Sequence, residues 1–260
     1  MMQEHAERFE GLAEAYALYR PDYPARAFRE LLPLSTSDRA LAVDVGAGPG
    51  TSTRPMRAAL PASWLVTAVE PGRDMRRVLA RSFREDPRVQ VTDGTAEALP
   101  LPRGSAGLVV ACSAFHCFDA QGFFAEARRV TAPGGVLALL RNRMVPTPLS
   151  EEIMAHVTRA ARQAGALWDI SGHREPTVRE LSSVEGFKTA RSRTYRWSET
   201  RDRRGVVDFY LTRSSVWSLV RRVGLGPVMR DLEEICARHI EKDTAAPLEW
   251  ETTVKWTQRR

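Results

Sequence analysis

The strongest constraint on the fold is a run of apolar residues that leads directly into three closely spaced glycines. Residues 41–45 read as a short buried strand, and Gly46, Gly48 and Gly50 follow it with one residue between each pair. Glycine has no Cβ, so the backbone can turn sharply from a strand into a helix and can approach a ligand closely. An acid, Asp44, stands two residues before the first glycine. The pattern predicts a strand–turn–helix unit that binds a nucleoside cofactor.

Further strands alternate with helices after this turn. The segments that read as strands are 64–70, 88–92, 107–112 and 136–140, and helical patterns follow most of them. Strands that are apolar throughout are typical of a parallel sheet with helices on both faces. We expect Asp119 to cap the helix after the fourth strand, and residues 133–135 to form a turn before the fifth. The predicted fold class is α/β.

The chain divides into three segments of different character. Residues 1–35 read as a helical arm, since apolar residues recur at three- and four-residue steps until two prolines interrupt them. Residues 36–145 hold the alternating strands and helices. Residues 146–260 are less regular, and their predicted elements are helices near 150–164 and 202–241 and strands near 187–197 and 249–256. The chain has 260 residues, of which 43% are hydrophobic, so we expect one integrated domain.

The net charge of +6 permits nucleic-acid binding, so the distribution of the basic residues has to be considered. Only three of the 38 basic side chains are lysines, and the arginines are scattered among acids. The densest cluster, from Arg191 to Arg204, is interleaved with Thr, Tyr, Trp, Ser and Glu. A solvated strand face accounts for that pattern better than a phosphate-binding track does. Nucleic acid is therefore not the expected partner.

Cysteine usage and hydropathy limit the class of protein. Cys112, Cys117 and Cys236 form no C-x-x-C pair and are odd in number, which argues against a disulfide framework and against a zinc site. No apolar run approaches the roughly 18 residues needed to span a bilayer, and the first ten residues are polar. We expect a cytoplasmic protein with no membrane segment and no metal.

An acid ends the second predicted strand. Glu70 lies 24 positions after Gly46, where a carboxylate can accept hydrogen bonds from both ribose hydroxyls of a nucleoside. A 2′-phosphate would be repelled there, so NADP is disfavoured. In an NAD-linked oxidoreductase, we would expect the third glycine one residue later and a Tyr-x-x-x-Lys pair. No such pair is evident in this sequence.

Two later segments complete a resemblance to a known family. Residues 93–100 resemble the segment that holds the adenine in class I S-adenosylmethionine (SAM) methyltransferases, although Thr95 stands where many members carry an acid. Residues 111–119 resemble the A-x-H-W-F-D stretch of the trans-aconitate methyltransferase-like, or methyltransferase type 11, group, with Cys117 in place of the tryptophan. With the arm sequence Tyr-Arg-Pro-Asp-Tyr-Pro and the glycine turn, the resemblance covers about residues 9–142.

The resemblance implies a Rossmann-like, doubly wound, mostly parallel sheet with the last strand antiparallel, an N-terminal helical arm and helical lid insertions. It implies SAM as the cofactor and S-adenosylhomocysteine as its product. The implied cofactor-binding residues are Tyr16, Arg20, Asp44, Gly46, Ala47, Gly48, Gly50, Glu70, Pro71, Met75, Thr95, Ala96, Glu97, Ser113, Ala114 and Phe115. Arg20 could pair with the methionine carboxylate, and a surface arginine before a proline turn is the alternative.

His116 is the histidine placed where chemistry would occur. Its imidazole could accept a proton from a hydroxyl or amine acceptor near neutral pH, or it could close the adenine pocket or bond a backbone carbonyl. The resemblance places a histidine here in relatives with different substrates, which favours the packing role. Aromatic residues that could line an acceptor pocket, but that core packing explains more simply, are Trp168, Tyr195, Trp197, Phe209, Tyr210 and Trp217.

The leading hypothesis is a SAM-dependent methyltransferase that acts on an oxygen, nitrogen or carbon atom of a small molecule, such as a carboxylate or a secondary metabolite. One alternative is a SAM-binding protein of the same fold that methylates nothing. A nucleic-acid methyltransferase is a third reading, supported by charge alone. A homodimer is left open, and substrate choice is expected to lie in the arm and after residue 145.

Overall fold

A seven-stranded sheet forms the centre of the protein. The computed structural model describes residues 11–166 and 175–260. The strands are β1 (Leu41–Val45), β2 (Leu65–Val69), β3 (Val89–Thr92), β4 (Ala106–Cys112), β5 (Thr131–Met144), β6 (Arg191–Asp202) and β7 (Ala245–Gln258). Their order in the sheet is β3-β2-β1-β4-β5-β7-β6. Strands β1 to β5 pair in parallel, and β7 runs antiparallel to both of its neighbours. The predicted mostly parallel sheet with an antiparallel last strand is confirmed.

Helices cover both faces of this sheet and extend beyond it. They are α1 (Ala13–Tyr19), α2 (Ala25–Leu31), α3 (Thr53–Ala59), α4 (Arg73–Ser82), α5 (Ala120–Val130), α6 (Pro148–Gln163), α7 (Val178–Ser182), α8 (Arg203–Leu211), α9 (Ser214–Val223) and α10 (Leu225–His239). Local signals set several of their starts. The Asp119 side chain accepts a hydrogen bond from the Gly122 N–H at 2.8 Å and caps α5, as predicted. Thr147 and Ser150 form a capping box at the start of α6.

The sheet separates two hydrophobic cores. Side chains of a strand alternate between its faces, so Val109 packs with Phe123 of α5 on one face. On the other face, Leu108 packs with Phe28 of α2 and Met56 of α3. A third core lies among the C-terminal helices and the start of β7. Because all seven residues of β4 are buried, this strand lies at the centre of the layered core.

Several predicted boundaries were wrong, since β6 continues to Asp202 and β7 begins at Ala245. Residues 133–135 do not form a turn before the fifth strand but lie within β5, where the register against β4 shifts between Ala106 and Leu108. Gly134 has a φ of +74°, so glycine absorbs the irregularity without ending the strand. Strand β6 begins at Arg191 rather than near 187, because Phe187 makes an isolated bridge to Arg259 and is buried.

The basic cluster at 191–204 lies mainly on the edge strand β6, as the solvated-face interpretation expects. Several of its arginines are paired with acids, among them Arg193 with Glu30 of α2, and Arg196 with Glu251 of β7 at 3.2 Å. Within residues 11–166 and 175–260, no helix is long and apolar enough to cross a membrane, and no group of histidine, cysteine or acidic side chains is arranged to hold a metal ion. Cys112, Cys117 and Cys236 form no disulfide within the described residues.

Candidate functional site

A cavity of about 740 Å³ opens at the carboxyl ends of β1, β2, β4 and β5. Its volume is in the range of small-molecule sites, and its position is the one at which open α/β sheets bind ligands. Most of the predicted site residues line it: Tyr16, Arg20, Gly46, Ala47, Gly48, Glu70, Pro71, Met75, Ala96, Ser113, Ala114 and His116. The predicted residues that do not line it are Asp44, Gly50, Thr95, Glu97 and Phe115.

The glycine turn between β1 and α3 forms one wall of the cavity. Gly46 and Gly48 have φ angles of +69° and +55°, which side chains disfavour. A Cβ on Gly46 would lie 2.8 Å from the Cβ of Ala114, so this glycine lets two loops approach closely. A Cβ on Gly48 would meet no atom within 4 Å, so that side of the backbone is open. Gly50 packs instead against α4, where its Cβ would lie 3.1 Å from Leu79 Cδ1.

Asp44 lies behind the turn rather than in the cavity. Its side chain is fully buried, and Oδ2 accepts hydrogen bonds from the hydroxyls of Ser52 and Thr53, each at 2.7 Å. Burial raises the pKa of Asp44 to about 6, although both hydroxyls oppose the rise. Asp44 therefore ties the end of β1 to the start of α3 and shapes the turn indirectly.

Glu70 is the acid at the carboxyl end of β2. Its Oε2 accepts a hydrogen bond from the Gly48 N–H at 2.8 Å, and Oε1 accepts one from the Gly72 N–H at 2.7 Å. Burial raises the pKa of this carboxyl group, and the two N–H groups oppose the rise. The carboxylate thus connects the glycine turn to the loop before α4, and it lines the cavity beside Met75.

The loop after β3 contributes less than the sequence predicts. Ala96 lines the cavity, whereas Thr95 and Glu97 do not. Thr95 forms an isolated bridge with Ala98. The Glu97 carboxylate accepts a hydrogen bond from the Asp119 N–H at 2.8 Å, so it anchors the loop to the start of α5.

The loop after β4 places the histidine. Ser113 has a φ of +49°, in the left-handed region, and its hydroxyl accepts a hydrogen bond from the Tyr23 hydroxyl at 2.6 Å. A short 3₁₀ turn, Phe115–Cys117, follows. His116 lines the cavity, whereas the Phe115 ring turns inward and contacts the Phe123 ring, 5.8 Å away between centroids. His116 therefore borders the space in which a ligand would bind.

The N-terminal arm closes one side of the cavity. Tyr16 and Arg20 of the arm line it, with the Arg20 guanidinium 5.0 Å from the centre of the Tyr16 ring. The carboxylate of Asp22 accepts hydrogen bonds from Arg54 of α3 through Nη2 at 2.7 Å and Nε at 3.2 Å. This ion pair attaches the arm next to the glycine turn.

Sequence reasoning missed the far end of the cavity. Residues from β5, α6, α9 and β7 form it, among them Asn142, Ser150, Arg213 and Trp250. The Asn142 Oδ1 accepts a hydrogen bond from the Thr252 hydroxyl at 2.6 Å, which orients its amide. The rule that ligands bind at strand ends could have indicated Asn142, but nothing local in the sequence places the α9 residues there.

Most of the predicted acceptor aromatics pack in cores. Phe209 and Tyr210 are buried among the C-terminal helices, where Trp197 and Trp217 pack against the same core. Tyr195 packs on the sheet face that carries α2. Trp168 lies outside the described residues. The aromatic side chain from this part of the chain that does reach the cavity is Trp250, which was not predicted.

Three comparisons with known proteins agree on the family. Residues 43–139 match the methyltransferase domain family. An uncharacterised methyltransferase of Schizosaccharomyces pombe is 34% identical over 49% of this chain and 49% of its own length. A malonyl-[acyl-carrier protein] O-methyltransferase of Alcanivorax borkumensis is 32% identical over 57% of this chain and 46% of its own length. The chain thus spans about half the length of these curated relatives.

A solved structure extends the likeness to nearly the whole chain. It is that of a proposed type II methyltransferase from Anaeromyxobacter dehalogenans, which is 25% identical, with a TM-score of 0.65 over 93% of this chain and 98% of that one. The shared architecture includes the sheet and the elements outside the matched domain. The domain match, the relatives and the common fold therefore support a class I methyltransferase domain at residues 43–139.

Proposed function

We propose that this protein transfers the methyl group of SAM to a small-molecule acceptor. The observation that carries the proposal is the Glu70 carboxylate, held by the Gly48 and Gly72 N–H groups at the edge of a ligand-sized cavity. A carboxylate fixed in this way keeps free lone pairs for the two hydroxyls of a ribose. It also disfavours a phosphate at the same place, which separates SAM from NADP.

The residues around Glu70 fit the remaining parts of SAM. The open space above Gly48 allows the ligand to approach the backbone closely. Ala96 and Ala114 are small apolar residues that would border the adenine, and Tyr16 of the arm would close over the methionine end. When bound, SAM supplies a methyl group on a sulfonium; the acceptor's lone pair bonds to the methyl carbon while the S–CH₃ electron pair returns to sulfur, leaving S-adenosylhomocysteine.

The protein's own part in the reaction is to bind, to orient and to exclude water. The arm and the C-terminal helices cover the cavity, and orientation and desolvation together supply much of the acceleration of an in-line displacement. With a hydroxyl or amine acceptor, His116 would accept the proton that the acceptor loses. A carboxylate acceptor would need no base, and His116 would then act in packing.

The proposed cofactor is tested by isothermal titration calorimetry with S-adenosylhomocysteine. We expect micromolar binding by the native protein and a loss of binding in Gly48→Val, whose side chain would fill the open space above the turn. No binding at millimolar ligand would rule out the proposal. SAM binding without any methylated product across a broad panel of small acids, amines and alcohols would favour a non-methylating SAM-binding protein.

The two roles of His116 predict different kinetic effects. If His116 accepts the proton, His116→Ala lowers turnover by about 10²- to 10⁴-fold and leaves the affinity for S-adenosylhomocysteine unchanged. If it packs against the cofactor, affinity and turnover fall together. Calorimetry and a methylation assay on the same variant separate the two.

A further inference from the structure

Two arginines from distant parts of the chain meet at one end of the cavity. Arg20 ends α1, and Arg213 immediately precedes α9. Both line the cavity, and the charge of Arg20 acts on the Arg213 guanidinium. Two positive charges are thus held close together beside a space large enough for a ligand.

Neither guanidinium has a carboxylate partner among the residues that the structure describes. Arg20 donates from Nη2 to the Thr212 carbonyl at 3.0 Å, and its Nε is buried without a hydrogen-bond partner within residues 11–166 and 175–260. Arg213 lies over the ring of Tyr210, 5.8 Å from its centre. These contacts satisfy some donors and leave the charges uncompensated.

Two further arginines that line the cavity have acidic neighbours. Arg141 Nη1 lies 3.7 Å from Glu175 Oε1, and Arg143 Nη2 lies 2.7 Å from Glu251 Oε2. The excess positive charge is therefore a local property of the end formed by α1 and α9.

Burial makes that arrangement costly. Burial first, and then the charge of Arg20, lowers the pKa of Arg213 below the usual arginine value. A guanidinium nevertheless stays protonated in proteins, so two partly buried cations remain close together. An anion bound between them would offset this cost, and the planar fork of each guanidinium matches the two oxygens of a carboxylate.

The start of α9 adds hydrogen-bond donors to the same place. Arg213 is the N-cap residue, and no side chain of the described residues accepts a hydrogen bond from the first turn. Ser214 and Ser215 of that turn line the cavity. Free N–H groups and the positive end of the helix dipole therefore border the space beside the two arginines.

We propose that the methyl acceptor is a small organic acid whose carboxylate binds Arg213, with support from Arg20 and the first turn of α9. This proposal rests on the function proposed above. Guanidinium hydrogen bonds occupy the lone pairs of a bound carboxylate and make it a poor nucleophile. The carboxylate is therefore the anchor, and a different atom of the acceptor receives the methyl group.

Binding of carboxylates to the protein saturated with S-adenosylhomocysteine tests the proposal. The probes are acetate, succinate, glutarate and benzoate, each with its neutral amide, measured by calorimetry and thermal unfolding. We expect at least one carboxylate, and none of the amides, to bind and raise the unfolding temperature. Arg213→Met should weaken that binding at least tenfold, and Arg213→Lys less. If no carboxylate binds, or if Arg213→Met binds it as well as the native protein, the proposal is wrong.

The methionine carboxylate of SAM is the other source of the same chemistry. If Arg213 bound this carboxylate, Arg213→Met would lower the affinity for S-adenosylhomocysteine at least tenfold. The affinity for 5′-methylthioadenosine, which lacks the amino acid, would be unchanged. That result would overturn the proposal. We expect the affinity for S-adenosylhomocysteine to stay within about twofold. If the native protein does not bind S-adenosylhomocysteine at all, the proposed function fails instead.

The control is Arg222→Met, which removes an exposed arginine from the other end of the same helix. We expect carboxylate binding to be unchanged in it. Arg213→Met itself should unfold at the same or a higher temperature than the native protein, because it removes an uncompensated charge. A marked loss of stability would show that Arg213 has a structural role instead.

Discussion

At the scale of single residues, Glu70 should control cofactor affinity. Both of its oxygens accept backbone hydrogen bonds, so an amide at this position would turn one donor toward an N–H group. We expect Glu70→Gln and Glu70→Ala each to lower the affinity for S-adenosylhomocysteine by about 10- to 100-fold, the usual range for the loss of a hydrogen bond to a charged group. Calorimetry measures the change.

Glu97→Ala is the matched control for this prediction. Glu97 was also predicted to bind the cofactor, but its carboxylate bonds the Asp119 N–H and does not line the cavity. Its removal should leave the affinity unchanged. The proposal that Glu70 binds the cofactor and Glu97 does not would be contradicted if Glu70→Gln bound S-adenosylhomocysteine as tightly as the native protein. A loss of affinity in Glu97→Ala as large as that in Glu70→Gln would also contradict it.

Asp44 should give the protein a characteristic dependence of stability on pH. The pKa of Asp44 in the folded protein, about 6, is above its ordinary value of 3.8, so folding favours the protonated form. The protonated Asp44 carboxyl group therefore contributes its full share of the free energy of unfolding below about pH 4. As the pH rises through 6, the free energy of unfolding falls by about 3 kcal/mol. Asp44→Asn cannot ionise and should lack this loss.

Urea unfolding of native protein and Asp44→Asn at several pH values from 4 to 8 measures the effect. The other titrating groups are common to both proteins and cancel in the difference between the two curves. We expect the stability of Asp44→Asn relative to the native protein to increase across this range. Parallel curves would show that Asp44 is not buried as a charged group at neutral pH.

The sequence predicts residues at strand ends better than residues within loops. Gly46 and Glu70 immediately follow strands, so the direction of the strand brings them to the cavity edge. Thr95 and Phe115 lie three residues beyond the ends of β3 and β4, where packing decides which side chain turns inward. Phe115 joins a cluster of phenylalanine rings that no local pattern reveals.

At the scale of elements, the glycine turn assigns different tasks to adjacent glycines. Gly46→Ala should mainly destabilise the fold, because its Cβ would lie 2.8 Å from that of Ala114. Gly48→Ala meets no neighbour and should cost only the strain of a positive φ, about 1–2 kcal/mol. Gly48→Ala should nevertheless lower the affinity for S-adenosylhomocysteine, since the new methyl group occupies the open side of the turn.

Thermal unfolding and calorimetry on these two variants test this division. The expected result is a lower unfolding temperature for Gly46→Ala than for Gly48→Ala, and a marked loss of affinity in Gly48→Ala even at temperatures where it is fully folded. Equal affinity of native protein and Gly48→Ala would show that the ligand does not approach the turn closely.

Element order was more predictable than element boundaries. Apolar strands identify the sheet because parallel strands are buried on both faces, as β4 is throughout. The prediction of a turn at residues 133–135 was wrong because a glycine can either end a strand or form an irregularity within it. The pairing with the neighbouring strand determines which of the two occurs. Here β4 continues to pair on both sides of Gly134.

At the scale of the whole molecule, the cavity joins segments that are far apart in sequence. Arg20 donates to the carbonyl of Thr212, which connects the arm to the C-terminal helices. Charge and periodicity describe each segment alone, so neither could predict that Arg20 and Arg213 meet. The end of the cavity beside α9 was therefore missed, whereas the end built from consecutive strand ends was predictable.

The attachment of the arm to the core should control how long the cofactor stays bound. Arg54, on the helix after the glycine turn, holds Asp22 of the arm through two hydrogen bonds. Both side chains are partly exposed, so the pair contributes at most about 1 kcal/mol. Arg54→Met should therefore raise the dissociation constant of S-adenosylhomocysteine about two- to fivefold through faster dissociation, with little change in the unfolding temperature of the free protein.

Stopped-flow dissociation and the ligand-induced rise in unfolding temperature measure this coupling, because ligand stabilisation depends directly on affinity. Arg84→Met is the control, since Arg84 pairs with its exposed neighbour Glu85 and forms no hydrogen bond or ion pair with the arm residues that the structure describes. We expect the control to match the native protein in both measurements. If Arg54→Met also matches it, the arm closes over the cavity without help from this ion pair, and contacts such as that of Arg20 with Thr212 hold it in place.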